Sequence, residues 1–199
     1  RFIHCLLRNH SQYDWLDTAS PRQNAWYLSE VARRGAPRFR HRPSVLPTHE
    51  ALHGLEYAML CIKETARLDP PTGVHVRQVM SEEGVTLGGY SLKKGTILFG
   101  LAYQVQRYSA IWGADANLFR PERMIDSALT PKQKEAYLPW AIGVHRCAGE
   151  DLSKAEAALI IALFARQYIT IRLKGQVKDP VYELVKMVPH TGGLLEFIR

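Results

Sequence analysis

The chain has 199 residues, 46% of them apolar and 23% charged, with a formal net charge of +7. That is enough for one domain with its own core, and no apolar run approaches the roughly 20 residues of a membrane-spanning helix. Three cysteines (Cys5, Cys61 and Cys147) give no disulfide framework and suit a reducing compartment.

The first residue is Arg, so the chain is expected to be part of a longer protein, and no signal peptide is visible. The basic residues are spread out, with a local excess from Arg33 to Arg42, and aromatic residues are not interleaved with them. That pattern argues against nucleic acid. It fits a basic surface that steers an acidic protein partner.

Residues 1–19 open with Phe2-Ile3 and Leu6-Leu7 at helical spacing, as in the tail of a helix. Ser20-Pro21 predicts an N-cap and first-turn proline, and Trp26, Leu28 and Val31 follow on a helix ending near Gly35. The Arg- and Pro-rich stretch 35–48 reads as a loop. Thr48-His49-Glu50 opens the next helix, which carries Leu52, Leu55, Met59 and Ile62 and runs to Leu68, before Pro70-Pro71. Strands are predicted at Val74–Met80, Val85–Leu87, Tyr90–Leu92 and Thr96–Leu101, with hairpin turns at Gly84, Gly88-Gly89 and Lys94-Gly95. Tyr103–Ile111 is ambiguous, with a short helix as one reading.

Trp112–Trp140 is irregular and holds Pro121, Pro131 and Pro139. A segment of that length is expected to be functional or packed on something. Ala148–Gln167 is the strongest helix, with Leu152, Ala155, Leu159, Ile160, Leu163 and Phe164 as a wide apolar face. Tyr168–Arg199 reads as strands, with a turn at Pro189 and Gly192-Gly193. Neither internal repeats nor low-complexity segments are evident. The fold class is mainly α with small β-sheets (α+β).

The chemistry concentrates in Leu138-Pro139-Trp140-Ala141-Ile142-Gly143-Val144-His145-Arg146-Cys147-Ala148-Gly149. This stretch sets one cysteine at the end of a glycine-bearing loop, just before a helix. The amides of a helix N-terminus favour the thiolate. Gly143 lets the backbone turn where a side chain would clash, and Gly149 lets the helix pack closely. Such a thiolate suits a soft or redox metal, haem iron among them, while a buried structural cysteine is the alternative. Glu64 and Arg67 are three apart on one helix face, and Arg123 is the candidate for a second guanidinium on the same carboxylate. Cys5 and Cys61 sit among apolar residues as core filler. The eight histidines form no paired zinc-type spacing.

In this order, Glu64-Thr65-Ala66-Arg67, Pro121-Glu122-Arg123 and Trp140 to Gly149 resemble three motifs of the cytochrome P-450 superfamily, a family of haem-thiolate monooxygenases. Trp140, Gly143, His145, Cys147 and Gly149 stand at the Phe, Gly, basic, Cys and Gly positions of its cysteine loop. The resemblance implies the C-terminal part of that fold. Residues 1–199 would form a single partial domain, with the N-terminal half and most of the central oxygen-activating helix outside the chain; the Ala-Gly-x-x-Thr segment of that helix does not occur here. It implies that Cys147 is the axial ligand of haem b (iron protoporphyrin IX) and that Glu64, Arg67 and Arg123 form the triad supporting the loop. Arg77 and His145 would bind propionates. Arg146 would face solvent and a redox partner, with a propionate as its alternative. Trp140, Gly143 and Gly149 would shape the haem contact, and Thr72, Val74, Val76 and Thr191 would line the substrate pocket.

The implied reaction inserts an oxygen atom from dioxygen into a small hydrophobic organic substrate. Electrons would come from NAD(P)H through a flavin reductase or ferredoxin, on the cytoplasmic side or the cytoplasmic face of the endoplasmic reticulum. Any membrane anchor would lie before residue 1. The alternatives are a haem-thiolate peroxygenase or isomerase, and a truncated non-catalytic haem-binding or interaction protein. The departures are Trp140 for Phe, Met124 for the Phe after Pro-Glu-Arg, and Gln106-Arg107-Tyr108-Ser109 for His-Arg-Asp-Pro. The last is expected to affect a turn rather than the ligand.

Overall fold

Helix α1, Glu56–Leu68, shows the helical period plainly: Tyr57, Ala58, Cys61, Ile62 and Leu68 all turn to the core. The computed structural model describes residues 55–164 in full and only the backbone of 165–167, 170–174, 181–183, 186–188 and 194–198. The start of α1 expected at Thr48 lies outside those residues. Leu55, expected within the helix, is instead its non-helical N-cap, with φ −89° and ψ 55°. The predicted helices before it, Cys5 and the turn at 189–193 also lie outside the described residues. At its far end Asp69 N–H still reaches Thr65 O at 2.8 Å, and Pro70, which has no N–H, stops the ladder.

The partner of α1 is α5, Glu150–Gln167. The buried stripe on α5 is Ala157, Ala158, Ile161 and Ala162, which corrects the expected face. Leu152 is 65% exposed and Ile160 42% exposed. The helix is apolar nearly all round, so its period does not say which face packs. The alanines win because small side chains let the α1 backbone come close. A second apolar cluster joins Trp112, Ala116, Met124 and Ala136, with Leu60, Val105, Ile111, Leu129 and Tyr137 against it.

Between the helices lies a four-strand excursion. Strands β1 (His75–Gln78) and β4 (Ile97–Gly100) pair antiparallel, His75 opposite Gly100 and Gln78 opposite Ile97. Inserted between them is the hairpin of β2 (Val85–Leu87) and β3 (Tyr90–Leu92). Its two-residue turn needs left-handed backbone at both positions, which Gly88 (φ +57°) and Gly89 (φ +84°) supply. The backbones of β5 (Thr170–Lys174) and β8 (Leu194–Ile198) form another antiparallel pair, as do β6 (Val181–Glu183) and β7 (Lys186–Val188).

The ambiguous region resolves into two single turns, α2 (Ala102–Val105) and α3 (Ser109–Trp112). The irregular segment holds a 3-10 turn at Pro121–Met124 and α4 at Pro131–Ala136. Helix α4 is opened by a capping box: Thr130 Oγ1 accepts from Gln133 N–H at 3.2 Å, and Gln133 Oε1 accepts from Thr130 N–H at 3.0 Å. Among the described residues no helix is long and apolar enough to cross a membrane.

Gly84 closes the loop before β2 at φ +75°, where an added Cβ would lie 2.3 Å from Leu92 O. Gly84→Ala is therefore expected to lower stability by about 2–3 kcal/mol, read as a fall in the urea midpoint. Gly88→Ala, with open space around it, should cost about 1 kcal/mol.

Candidate functional site

The carboxylate of Glu64 is fully buried on α1, and burying such a charge alone would be prohibitive. Its oxygens take four N–H donors: Arg67 Nε and Nη2, each at 2.8 Å, Arg123 Nε at 3.2 Å and the Arg120 amide at 3.0 Å. Arg67 is equally buried. Its remaining N–H groups go to the carbonyls of Gln106 (2.6 Å), Ala116 (2.7 Å) and Leu118 (3.4 Å), so all five are satisfied. The guanidinium also lies 4.9 Å from the Trp112 ring centroid. Arg123 donates to the carbonyls of Trp112 (3.0 Å) and Asp115 (2.9 Å) and to the Asp115 carboxylate.

The structure thus brings together the three residues singled out for a triad and adds Asp115, which sequence reasoning missed. Burial pushes the Asp115 carboxyl up, but the hydrogen bond and charge of Arg123, with the charge of Arg120, hold it below the ordinary value.

The cysteine loop grows from a fixed root. The Leu138 amide donates to Gln106 Oε1 at 2.7 Å, and the Leu138 carbonyl meets His75 Nε2 at 3.0 Å. Pro139 is buried and Trp140 half-buried. The chain then turns through Ala141 (φ +57°), the only non-glycine residue with positive φ among the described residues, and Gly143 (φ +62°). A Cβ at Gly143 would meet nothing within 4 Å, so its requirement is left-handed backbone and not the expected clash. At Gly149 a Cβ would sit 3.8 Å from Cys147 Sγ, an ordinary contact. After the 3-10 turn Gly143–His145, the Cys147 amide returns to Trp140 O at 2.8 Å and closes the loop.

The Cys147 thiol is exposed in the residues just ahead of α5, whereas Cys61 is buried in the core. Behind the thiol, Glu150 accepts from Arg146 Nε at 2.7 Å and is also paired with Lys154 Nζ. Burial pushes the Glu150 carboxyl up, yet these two partners pull it below the ordinary value. Lys154 also lies over the Trp140 ring, 5.9 Å from its centroid.

Arg77 shares a strand face with His75, the residue that reaches the loop root through Leu138. Its printed hydrogen bond is to Val76 O at 2.8 Å, and no carboxylate pairs with it among the described residues. His145 is exposed on the loop itself. Val76 takes the opposite face of β1, beside Phe99, so Arg77 and Val76 cannot both line one side of this strand. Thr72 and Val74 precede β1 and are half-buried, and Thr191 lies outside the described residues.

The donor set suits a flat, apolar, anionic group held by one cysteine sulfur. Ile142 is 63% and Val144 98% exposed beside Cys147, and the Arg77 guanidinium and His145 imidazole offer N–H donors for carboxylates. Among the described residues, no cluster of three or more His, Cys, Asp or Glu could hold a metal ion, so a metal at Cys147 would draw its other ligands from elsewhere than the described side chains. Sequence reasoning also missed Gln106 and His75 at the loop root. The signal for Gln106 was its place in the segment that departs from His-Arg-Asp-Pro.

The cytochrome P450 family model matches residues 38–195. Cytochrome P450 71A19 of Arabidopsis thaliana is 33% identical over 64% of this chain and 26% of its own length. The bifunctional cytochrome P450/NADPH–P450 reductase ascE of Acremonium egyptiacum is 30% identical over 69% of this chain and 13% of its own length. Benzoate 4-monooxygenase bphA of Aspergillus niger is 30% identical over 62% and 24%. The chain therefore spans about a quarter or less of the length of these curated relatives.

Glu64→Ala would strand Arg67 as a buried cation and leave Arg123 with Asp115 alone, and a loss of about 3–5 kcal/mol in denaturant unfolding is expected. The depressed Glu150 carboxyl contributes stability above the ordinary carboxylate range. That contribution is lost as pH falls through its lowered folded value. Glu150→Gln should therefore show a smaller drop in Tm than wild type between about pH 5 and pH 2.

Proposed function

The chain belongs to the cytochrome P450 family, and on that premise we propose that it is the haem-binding part of a haem-thiolate monooxygenase with Cys147 as axial iron ligand. The observation that carries the reading is the exposed Cys147 thiol on a loop closed by its own amide to Trp140 O at 2.8 Å. Residues 1–199 are proposed to form a single partial domain, the C-terminal haem-binding part of the family fold.

When bound, haem would supply dioxygen activation, helped by electron donation from the thiolate, for insertion of one oxygen atom into a small hydrophobic organic substrate. The chain's own residues fix the geometry. The backbone hydrogen bond from Cys147 to Trp140 holds the peptide that carries the thiol. Helix α5 begins just after Cys147, at Glu150. Arg77 and His145 would hold the two propionates, with Arg77 free of any competing carboxylate among the described residues. Arg146 is engaged by Glu150, which supports the solvent-facing role over a propionate contact.

Arg146, exposed beside Cys147 although paired with Glu150, is the residue proposed to meet an acidic electron donor. Electrons are proposed to come from NAD(P)H through a flavin reductase or ferredoxin; the ascE relative carries a reductase in its name. A reducing compartment on the cytoplasmic side fits Cys61 and Cys147, which form no disulfide among the described residues.

Reconstituted with haem, reduced and exposed to carbon monoxide, the chain should give the red-shifted band of thiolate-ligated iron. Cys147→Ser should abolish that band. A spectrum that survives the substitution rules out Cys147 as the ligand.

A further inference from the structure

We propose that Gln106 is a positioning residue for the cysteine loop, coupling the C-terminal turn of α1 to the peptide of Leu138. The proposal takes Cys147 as the functional thiol from the reading above, but the geometry it uses is independent of haem.

Gln106 is polar yet 0% exposed, so every polar atom of its side chain needs a partner. Its Nε2 donates to Arg67 O at 2.9 Å and lies 3.4 Å from Ala66 O. Carbonyls in the last turn of a helix lack intrahelical donors, and here an amide from another segment serves them. Arg107 continues the same task, donating to Leu68 O at 3.1 and 2.8 Å and to Asp69 Oδ1 at 3.2 Å. Gln106 also receives from α1, since its backbone carbonyl takes Arg67 Nη1 at 2.6 Å. The residue is thus joined to Arg67 twice, once as donor and once as acceptor.

The other end of the side chain points at the loop. Gln106 Oε1 accepts from the Leu138 amide at 2.7 Å, and His75 holds the carbonyl of the same residue. Two residues on, Trp140 O receives the Cys147 amide. Gln106 needs no contact with Cys147 to govern it, because it fixes the segment from which the loop closes.

The task requires a donor and an acceptor at once, and a side-chain amide offers both at every pH. An imidazole offers both only while neutral; protonated, it would turn a second N–H toward the Leu138 amide. The charged and titratable groups around this point are Glu64 and Arg67 from α1, Asp69 beyond it, Arg107 on the same segment, His75 from β1 and Tyr137 beside Leu138. Gln106 keeps a titrating group out of that set.

The test uses the full 199-residue chain without haem and reads amide hydrogen exchange residue by residue by NMR. Its failure is therefore distinct from a failure of the carbon monoxide spectrum. Gln106→Leu should cut protection of the Leu138 and Cys147 amides by about tenfold, the worth of one lost hydrogen bond, with α5 interior amides unchanged. Gln106→His should protect Cys147 as in wild type at about pH 8 and lose that protection at about pH 5. Unchanged Cys147 protection in Gln106→Leu would overturn the proposal. So would losses spread evenly over α1 and α5, or a Gln106→His chain whose protection does not change with pH.

Discussion

A carboxylate with no access to water dictates the arrangement of this chain. Glu64 cannot stay ionised in the core unless donors from elsewhere reach it, so α1, the segment 115–120 and the turn Pro121–Met124 must converge. Buried ion sets of this kind are weak evidence for stability, because desolvation offsets most of the attraction. Their effect is to select one arrangement, since any other leaves a charge without a partner. Arg67 sharpens the selection by spending its five N–H groups on four different residues. Three of those are carbonyls in otherwise irregular chain, and their alignment is what lets that chain be ordered without regular structure.

The order reaches the thiol through hydrogen bonds to backbone, not through packing of the loop. Gln106 and His75 hold the two sides of Leu138, Pro139 is buried, and Trp140 O receives Cys147. Beyond that root, Ile142 and Val144 stand in solvent. A loop of this form combines a rigid base with an open, apolar tip. Ala141 takes a left-handed backbone that L residues other than glycine seldom adopt, a local strain of order 1 kcal/mol that the anchored root can impose. Under the proposed reading, that division of labour places a fixed thiolate beneath a surface free to accept a flat ligand.

The sequence carried the site further than the fold around it. Glu64, Arg67 and Arg123 could be grouped because their motifs recur in order, and the structure brings the three together. The four strands between 75 and 100 were legible from glycine punctuation, and Gly88-Gly89 makes the turn it announced. What remained unread has physical causes. Helix α5 is apolar on more than one side, so composition could not say that alanines, not leucines, would face α1. Asp115, His75 and Gln106 act across separations in sequence that no local period encodes. The Thr130–Gln133 capping box was visible as Thr-x-x-Gln but lay in a stretch dominated by prolines.

Trp140 shows how a departure from a pattern can be absorbed. A phenyl ring in its place would need only apolar neighbours, whereas an indole adds an N–H that must find an acceptor once buried. The Trp140 N–H is buried and makes no hydrogen bond. The Tyr137 hydroxyl donates to Lys63 O at 3.2 Å, next to Glu64 on α1, and burial dominates in raising its pKa above the ordinary value. Tyr137 therefore stands between the loop and the helix that carries the buried carboxylate, a second link beside Gln106. Lys154 covers the indole face from α5. The buried indole N–H, left without a hydrogen bond, costs the loop about 1–3 kcal/mol.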